Sequence, residues 1–252
     1  IIHNYFMLGY DFKKKKMKNL KKIFSYFGYS ITRKHKSENI EKLIQLRLNE
    51  NPCDCLFDIG SNVGDFLQDY NTFFLKIFSF EPNPELIPDL KKRFIDKKHI
   101  SIFELGVGIN TENLDLHVTN DKGKTLSSIK KQNKVIHEIL RNTEVIQKKK
   151  IKVISLSDFI LNNKLEDKTF FLKTDTQGND LEVLIGLKKF ISNVKFIKIE
   201  MPVINIYDID YKYHEINEFM KKNNFAPLHF QHLTRNKNGK LVEYDVIFER
   251  LS

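Results

Sequence analysis

The sequence predicts an α/β fold with a mostly parallel, Rossmann-like sheet flanked by helices. Three observations carry this prediction. From residue 54 onward, short apolar runs alternate with segments of helical periodicity. The run Leu56–Gly64 passes from an apolar strand through Asp58 into a turn with two glycines. The last two β-type runs are separated by Asn238-Gly239, a dipeptide typical of hairpin turns.

The elements alternate along the 252 residues. We expect strands over residues 54–58, 75–80, 100–105, 114–118, 152–156, 169–173, 194–199, 226–233 and 241–248. We expect helices over 38–48, 65–72, 85–94, 134–139, 180–187 and 213–222, and one starting at Ser157-Asp158. The stretch 119–150 is polar and irregular apart from its short helix. The last two strands should close the sheet as an antiparallel hairpin.

The first fifty residues differ in composition from the rest, so we divide the chain into a basic helical extension, 1–50, and a Rossmann-like domain, 51–252. The net charge is +10, and it comes mostly from lysine, which AT-rich coding also favours. Residues Lys18–Tyr29 mix lysine with apolar side chains at helical spacing. Such a helix packs one face on the domain or lies on an anionic membrane surface, and the sequence leaves both open.

Cysteine usage and hydropathy predict a cytoplasmic protein. The basic N-terminal helix would allow this protein to bind the membrane surface peripherally. Cys53 and Cys55 are two residues apart on one predicted strand, a spacing that does not favour a disulfide between them. No apolar run reaches the roughly 18–20 residues of a transmembrane helix. The lysines follow the short apolar start rather than precede it, so we expect no secretory signal.

The glycine turn predicts a nucleoside site. Its order, Asp58-x-Gly60-x-Asn62-x-Gly64, lacks the Gly-x-Gly-x-x-Gly spacing of NAD sites. An acid before the first glycine would repel a pyrophosphate but suits the ammonium and sulfonium of S-adenosylmethionine. Glu81 ends the second strand, where a carboxylate can bind a ribose diol. Asn62 would cap the following helix and also hydrogen-bond the cofactor.

The second half carries a longer motif, Phe170–Gly186, that contains Lys173-x-Asp175-x-Gln177-Gly178. Together with the glycine turn, it resembles the signature of FkbM-type methyltransferases. The resemblance covers about residues 50–250 and includes further motifs at Phe80–Pro84, Ser127-Ser128, Glu200, Ile206-Tyr207 and Tyr244–Phe248. There are two departures: Gln177 replaces the commoner Glu, and Asp180 stands where the family usually has Glu.

The resemblance implies a class I methyltransferase that moves a methyl group from S-adenosylmethionine to a hydroxyl, often on a sugar or a polyketide-like acceptor. The donor site then comprises Asp58, Gly60, Ser61, Asn62, Gly64, Glu81, Asn83, Leu105, Gly106, Ser128 and Asp175. The catalytic candidates are Asp175, as base or donor contact, Lys173 and Glu200. Strand alternation puts Lys173 on the same side as Asp175. No metal is required by the spacing of Asp175, Asp180 and Glu200.

Alternative functions remain at this stage. The basic charge suggests a nucleic-acid methyltransferase, but the chain lacks an Asn/Asp-Pro-Pro-Tyr/Phe tetrapeptide, and both cysteines precede the end of the first core strand. We therefore expect no nucleic-acid partner and a small-molecule or glycan substrate. A polyketide- or peptide-type natural product is the alternative acceptor. A non-catalytic domain that only binds the donor is the alternative of another class.

Overall fold

The computed structural model describes residues 40–121, 125–139 and 143–251. The chain divides into two units, residues 1–43 and 44–252, and the sheet and the site belong to the second. The predicted basic helix over Lys18–Tyr29 lies outside the described residues. The predicted helix over 38–48 corresponds to α1 (Ile40–Glu50).

The strands of the described residues are β1 (Cys55–Ile59), β2 (Lys76–Phe80), β3 (Ile100–Phe103), β4 (Gly106–Gly108), β5 (Glu112–Thr119), β6 (Val145–Ser155), β7 (Phe170–Thr174), β8 (Val194–Pro202), β9 (Phe225–Arg235) and β10 (Leu241–Arg250). The helices after α1 are α2 (Asp65–Tyr70), α3 (Ile87–Arg93), α4 (Val135–Ile139), α5 (Leu156–Asn162), α6 (Asp180–Ile185) and α7 (Tyr213–Lys222). Short 3₁₀ turns cover Asn71–Phe73 and Lys188–Asn193.

Seven strands form the central sheet in the order β3-β2-β1-β7-β8-β10-β9. The pairs from β3 to β8 are parallel, whereas β10 runs antiparallel to both β8 and β9. This confirms the predicted mixed α/β architecture and its closing hairpin. After β3 the chain crosses back to β7 on the other side of β1, so the carboxyl ends of β1 and β7 meet where open α/β sheets bind ligands.

Aromatic side chains fill the core beneath this edge of the sheet. All five residues of β1 are buried, as are all five of β7. The rings of Phe57 and Phe170 on these two strands stack with centroids 4.7 Å apart. Phe159 of α5 packs edge-on against Phe80, with centroids 4.9 Å apart. Because such interiors are close-packed, the two strand ends above them are held rigidly.

A second sheet of three strands, in the order β4-β6-β5, corrects two predictions. The expected strand 100–105 stops at Phe103, and Gly106–Gly108 pairs instead with β6. The expected short strand 152–156 is the end of an eleven-residue strand that begins at Val145, inside the stretch predicted to be irregular. Ile151 and Val153 of β6 are buried and Lys152 between them is exposed, but three consecutive lysines, Lys148–Lys150, precede them, which explains the weak apolar signal.

The remaining elements follow the predictions with small shifts at their ends. Helix α7 has the predicted bounds, and α5 begins at the Ser155 cap, whose Oγ accepts the N–H of Asp158. The hairpin between β9 and β10 turns at Gly239, with φ 77°. Within the described part of the chain, no helix is both long and apolar enough to cross a membrane.

Candidate functional site

A cleft of about 290 Å³ lies at the carboxyl edge of the sheet. Its floor is the glycine turn that follows β1, beside the segment Asp175–Gln177 that follows β7. Gly60 has φ 73°, and a Cβ there would lie 1.9 Å from the backbone oxygen of Asp175. Only glycine fits between the two strand ends, so this residue sets how closely the two halves of the site approach each other.

The backbone N–H groups of the glycine turn donate hydrogen bonds to oxygen atoms of the protein itself. Those of Gly60 and Ser61 bind the Phe80 carbonyl oxygen, at 2.9 and 3.1 Å. The N–H groups of the next three positions bind side-chain or backbone oxygens of the same region: Glu81 Oε2, Asn62 Oδ1 and Ser61 O. A pyrophosphate needs free N–H groups to cradle it, so this turn is not built for one.

Glu81, directly after β2, is a buried carboxyl on the wall of the cleft. It accepts the N–H groups of Asn62 and Asn83, each at 2.8 Å, so both carboxyl oxygens are fixed in place. Burial raises the pKa of Glu81 to about 7, and the two N–H donors oppose that shift. Each oxygen keeps a further lone pair, which suits it to accept the hydroxyls of a ribose diol.

Lys173, on β7, is the buried cation beneath the glycine turn. Its Nζ donates to the carbonyl oxygens of Gly60 and Ile59, at 2.6 and 3.2 Å. The same atom lies 3.2 Å from Asp58 Oδ1 and 3.9 Å from Asp175 Oδ2. Burial opposes the charge of Lys173, but the Asp58 and Asp175 carboxylates outweigh it and raise the pKa of the ammonium group. Lys173 therefore stays protonated and cannot take up a proton from a substrate.

Asp175 presents a carboxylate to the cleft at the end of β7. Its side chain is 40% exposed, in contrast to Asp58, which is fully buried. Asp175 Oδ1 accepts a hydrogen bond from Gln177 Nε2 at 3.0 Å. This carboxylate is thus oriented by a neighbour while it remains accessible to a ligand.

Two further acids lie close enough to Asp175 to interact with it. Asp180, in the first turn of α6, accepts the Thr174 hydroxyl at 2.7 Å and the Thr176 N–H at 3.1 Å. Burial raises the pKa of Asp180 to about 6. Burial, with added repulsion from Asp175 and Glu243, raises the pKa of Glu200 well above its ordinary value. Among the described residues, no group of three or more His, Cys, Asp or Glu side chains is arranged to bind a metal ion.

The structure brings most of the predicted site residues together. Those that line the cleft are Gly60, Ser61, Asn62, Glu81, Leu105, Gly106, Ser128, Lys173 and Asp175. Four others lie outside its described lining: Asp58, Gly64, Asn83 and Glu200. Asp58 pairs with Lys173 below the turn, and Gly64 makes room for α3, because a Cβ there would lie 2.5 Å from the Phe94 ring. Asn83 donates its N–H to Glu81.

Several lining residues were not predicted from the sequence. They are apolar walls or hydroxyl and amide groups from other elements, chiefly Phe66, Leu116, Thr125, Ser127, Gln177 and Lys198. Lys198 could have been found from the sequence, because it lies two positions before Glu200 on the same strand and so faces the same side of the sheet. Its Nζ lies 2.5 Å from Asp245 Oδ2. Thr125 belongs to a segment predicted to be irregular, where periodicity gives no signal, and Ser127 was visible only through the Ser127-Ser128 motif.

The residues of the cleft fit S-adenosylmethionine. A carboxyl for the ribose diol stands at Glu81, apolar walls suited to an adenine ring come from Pro82, Leu105 and Leu116, and the turn offers no phosphate cradle. When bound, this cofactor supplies a methyl group already activated on a sulfonium. The protein must then hold the acceptor and exclude water.

A seven-stranded sheet of this order with such a cleft defines a class I, S-adenosylmethionine-dependent methyltransferase. More specifically, the profile of the methyltransferase FkbM domain matches residues 58–227. The chain belongs to the FkbM methyltransferase family, as its motifs predicted. No curated protein matches the chain significantly in sequence.

Solved structures similar to the chain are distant in sequence. The methyltransferase FkbM of Methylobacillus flagellatus KT has 16% identity and a TM-score of 0.47, over 78% of this chain and 43% of that chain. The chain thus spans less than half of that protein. Precorrin-6y C5,15-methyltransferase of Geobacter metallireducens GS-15 has 10% identity and a TM-score of 0.44, over 89% and 94% of the two chains. A Streptococcus mutans protein in complex with SAH has 11% identity and a TM-score of 0.42, over 83% and 97%.

Proposed function

We propose that this methyltransferase O-methylates a hydroxyl group of a sugar, in a glycan or a glycolipid. The observation that carries the proposal is Asp175, a partly exposed carboxylate that directly follows β7, the strand paired with β1. It lines the same cleft as the donor-site residues, so an acceptor hydroxyl near the donor would also be near this carboxylate. Proton transfer to a positioned carboxylate contributes roughly 10²–10⁴-fold to a rate.

The polar side of the cleft supports a hydroxyl-rich acceptor. Thr125 and Ser127 bear hydroxyls, and both line the cleft that Asp175 also lines. Hydroxyls both donate and accept hydrogen bonds, which matches the alternating donors and acceptors of a sugar. In this proposal, Asp175 accepts the proton of the acceptor hydroxyl. The hydroxyl oxygen would gain the bond to the methyl carbon that the donor sulfur loses, which leaves a neutral thioether, and Lys173 remains the cation that fixes the strand ends.

The catalytic roles of Lys173 and Glu200 change within the proposal. Lys173 positions the turn and Asp175 rather than exchanging a proton. Glu200 lies outside the cleft lining, and burial raises its pKa well above its ordinary value. If the acceptor is carried by a lipid, the basic extension predicted over residues 1–50 would contact the anionic membrane surface that holds it.

Transfer of a radiolabelled methyl group tests the proposal. The purified chain is incubated with labelled S-adenosylmethionine and with polysaccharide and glycolipid fractions. The products are then hydrolysed and analysed by mass spectrometry. We expect the label in mono-O-methyl sugars, in a bond that survives alkali. Label recovered as alkali-labile methyl esters, or in RNA or protein, would overturn the proposal.

The variant Asp175→Asn tests the residue that carries the proposal. It removes the proton acceptor but keeps the shape of the side chain, so we expect turnover to fall by about 10²–10⁴-fold and donor binding to change far less. Asp96→Asn is the matched control, because Asp96 is exposed and lies outside the cleft lining. Full turnover by the Asp175 variant would remove this residue from the base role.

A further inference from the structure

Gln177 occupies the centre of a hydrogen-bond network at the mouth of the cleft. Its Nε2 donates to Asp175 Oδ1 at 3.0 Å, and its Oε1 accepts the Tyr207 hydroxyl at 2.9 Å. Its backbone oxygen accepts the Ser128 hydroxyl at 2.6 Å. One residue thus joins the carboxylate at the end of β7, the segment after β8 and the segment before α4.

The network of this chain fits an amide at position 177, where the commoner residue of the family is glutamate. Tyr207 remains a donor, because burial and then the Glu200 carboxylate raise its pKa. Asp175, as a carboxylate, is an acceptor. Between a donor and an acceptor, only a side chain that accepts at one atom and donates at the other satisfies both. A glutamate here would set two acceptors against each other.

The network is held in place from the side of Tyr207. This ring is buried, and its hydroxyl also lies 3.1 Å from the Leu126 carbonyl oxygen. A Cβ on Gly178 would lie 3.0 to 3.1 Å from the ring, so the missing side chain lets the ring pack on the turn. Gln177 itself adopts φ 55°, a left-handed conformation uncommon for a residue with a side chain. Such conformations persist where the surroundings fix them.

We propose that Gln177 is a positioning residue that orients the Asp175 carboxylate for proton transfer and stabilises its negative charge through the amide hydrogen bond. The inference rests on the proposed function, in which Asp175 accepts the proton. The neighbourhood makes the amide donor important. Lys173 supplies a positive charge at 3.9 Å, but Asp180, Glu200 and Glu243 are acids close enough to interact with Asp175. Each of them, when ionised, opposes a second negative charge.

The test follows the Asp175 carboxyl directly by ¹³C NMR in the full chain, with ¹³Cγ-labelled aspartate and Asp175→Asn for assignment. In Gln177→Glu, we expect Asp175 to titrate about one pH unit above the native midpoint, because a like charge replaces a donor. Gln177→Met removes the donor without adding charge, and we expect a smaller rise. Gln68→Glu is the matched control, because it adds the same charge at an exposed site on α2 and should leave the midpoint unchanged.

Circular dichroism and S-adenosylmethionine binding confirm that each variant is folded. Unchanged Asp175 midpoints in both folded Gln177 variants would overturn the inference, whatever happens to methyl transfer. With a sugar acceptor in hand, a second readout is the acid limb of the pH–rate profile, which should move upward in Gln177→Glu. A moved midpoint without methyl transfer to any hydroxyl by the native chain would contradict the proposed function and leave the positioning role supported.

Discussion

Lys173 Nζ lies 3.2 Å from Asp58 Oδ1 beneath the glycine turn, where both side chains are almost completely shielded from solvent. The same ammonium group binds the Gly60 carbonyl oxygen at 2.6 Å, so the ion pair and the turn form one unit. The Asp58 charge is therefore compensated inside the protein. The turn itself favours S-adenosylmethionine over a dinucleotide. Its N–H groups already donate hydrogen bonds to protein oxygens, so they are not free to bind a pyrophosphate.

Breaking this ion pair should destabilise the protein strongly. Asp58→Asn leaves Lys173 buried with less compensation, and we expect a loss of about 3–5 kcal/mol in the free energy of unfolding. The double variant Asp58→Asn/Lys173→Met should lose less than the sum of the two single variants, because it removes both charges. Urea denaturation measures all three.

The control for this cycle is Asp115→Asn, which breaks the exposed pair between Asp115 and Lys150 and should leave the unfolding midpoint near that of the native chain. If Asp58→Asn behaved like Asp115→Asn, the buried pair would not hold the turn.

Glu81 should govern donor affinity. Glu81→Gln keeps one oxygen acceptor but replaces the other with an NH₂ group, which faces the N–H of Asn62 or of Asn83 instead of accepting it. We expect the Kd for S-adenosylmethionine to rise by about 10- to 100-fold, as for the loss of hydrogen bonds to a charged group. Isothermal titration calorimetry measures this. Glu104→Gln makes the same change at an exposed position after β3, and equal affinities in the two variants would contradict the assignment.

Stability should fall as the pH rises from about 5 to 7. The pKa of Glu81 is raised to about 7 and that of Asp180 to about 6, both by burial. Between the unfolded and folded pKa values, the folded chain binds more protons than the unfolded chain, so raising the pH costs stability. For Glu81 alone, the shift corresponds to about 3 kcal/mol. The acids with lowered pKa values, such as Asp54 and Asp158, change the stability only at pH values below the ordinary pKa of an aspartate, so they do not affect this range.

Urea unfolding at several pH values, without ligand, checks this dependence. The native chain should unfold at lower urea concentrations at pH 7 than at pH 5, and Glu81→Gln should flatten the slope because it removes one of the titrating groups. A native chain that gains stability over this range would show that the buried acids are not destabilised in their charged form.

The sequence predicted those parts of the site that depend on local spacing. Gly60 and Glu81 follow their strands directly, so the strand ends place them in the cleft. Gln177 was visible only as a family variant, because its partners Tyr207 and Ser128 are 30 and 49 positions away along the chain. The first seven residues of β6 escaped prediction for another reason: Lys148, Lys149 and Lys150 are consecutive and break the apolar pattern, and pairing with β5 rather than composition makes this segment a strand.

Alanine substitutions at Gly60 and Gly239 should distinguish the cost of backbone strain from the cost of a steric clash. Both have positive φ, 73° and 77°, so alanine is strained similarly at either one. At Gly239 nothing lies within 4 Å of an added Cβ, whereas at Gly60 the Cβ would lie 1.9 Å from the Asp175 oxygen. Gly239→Ala should cost about 1–2 kcal/mol through conformation alone. Gly60→Ala should cost more and should also abolish S-adenosylmethionine binding, since β1 and β7 would have to separate at the floor of the cleft. Thermal unfolding and calorimetry on the pair measure both effects, and equal losses would mean that the close approach of the two strand ends does not shape the donor site.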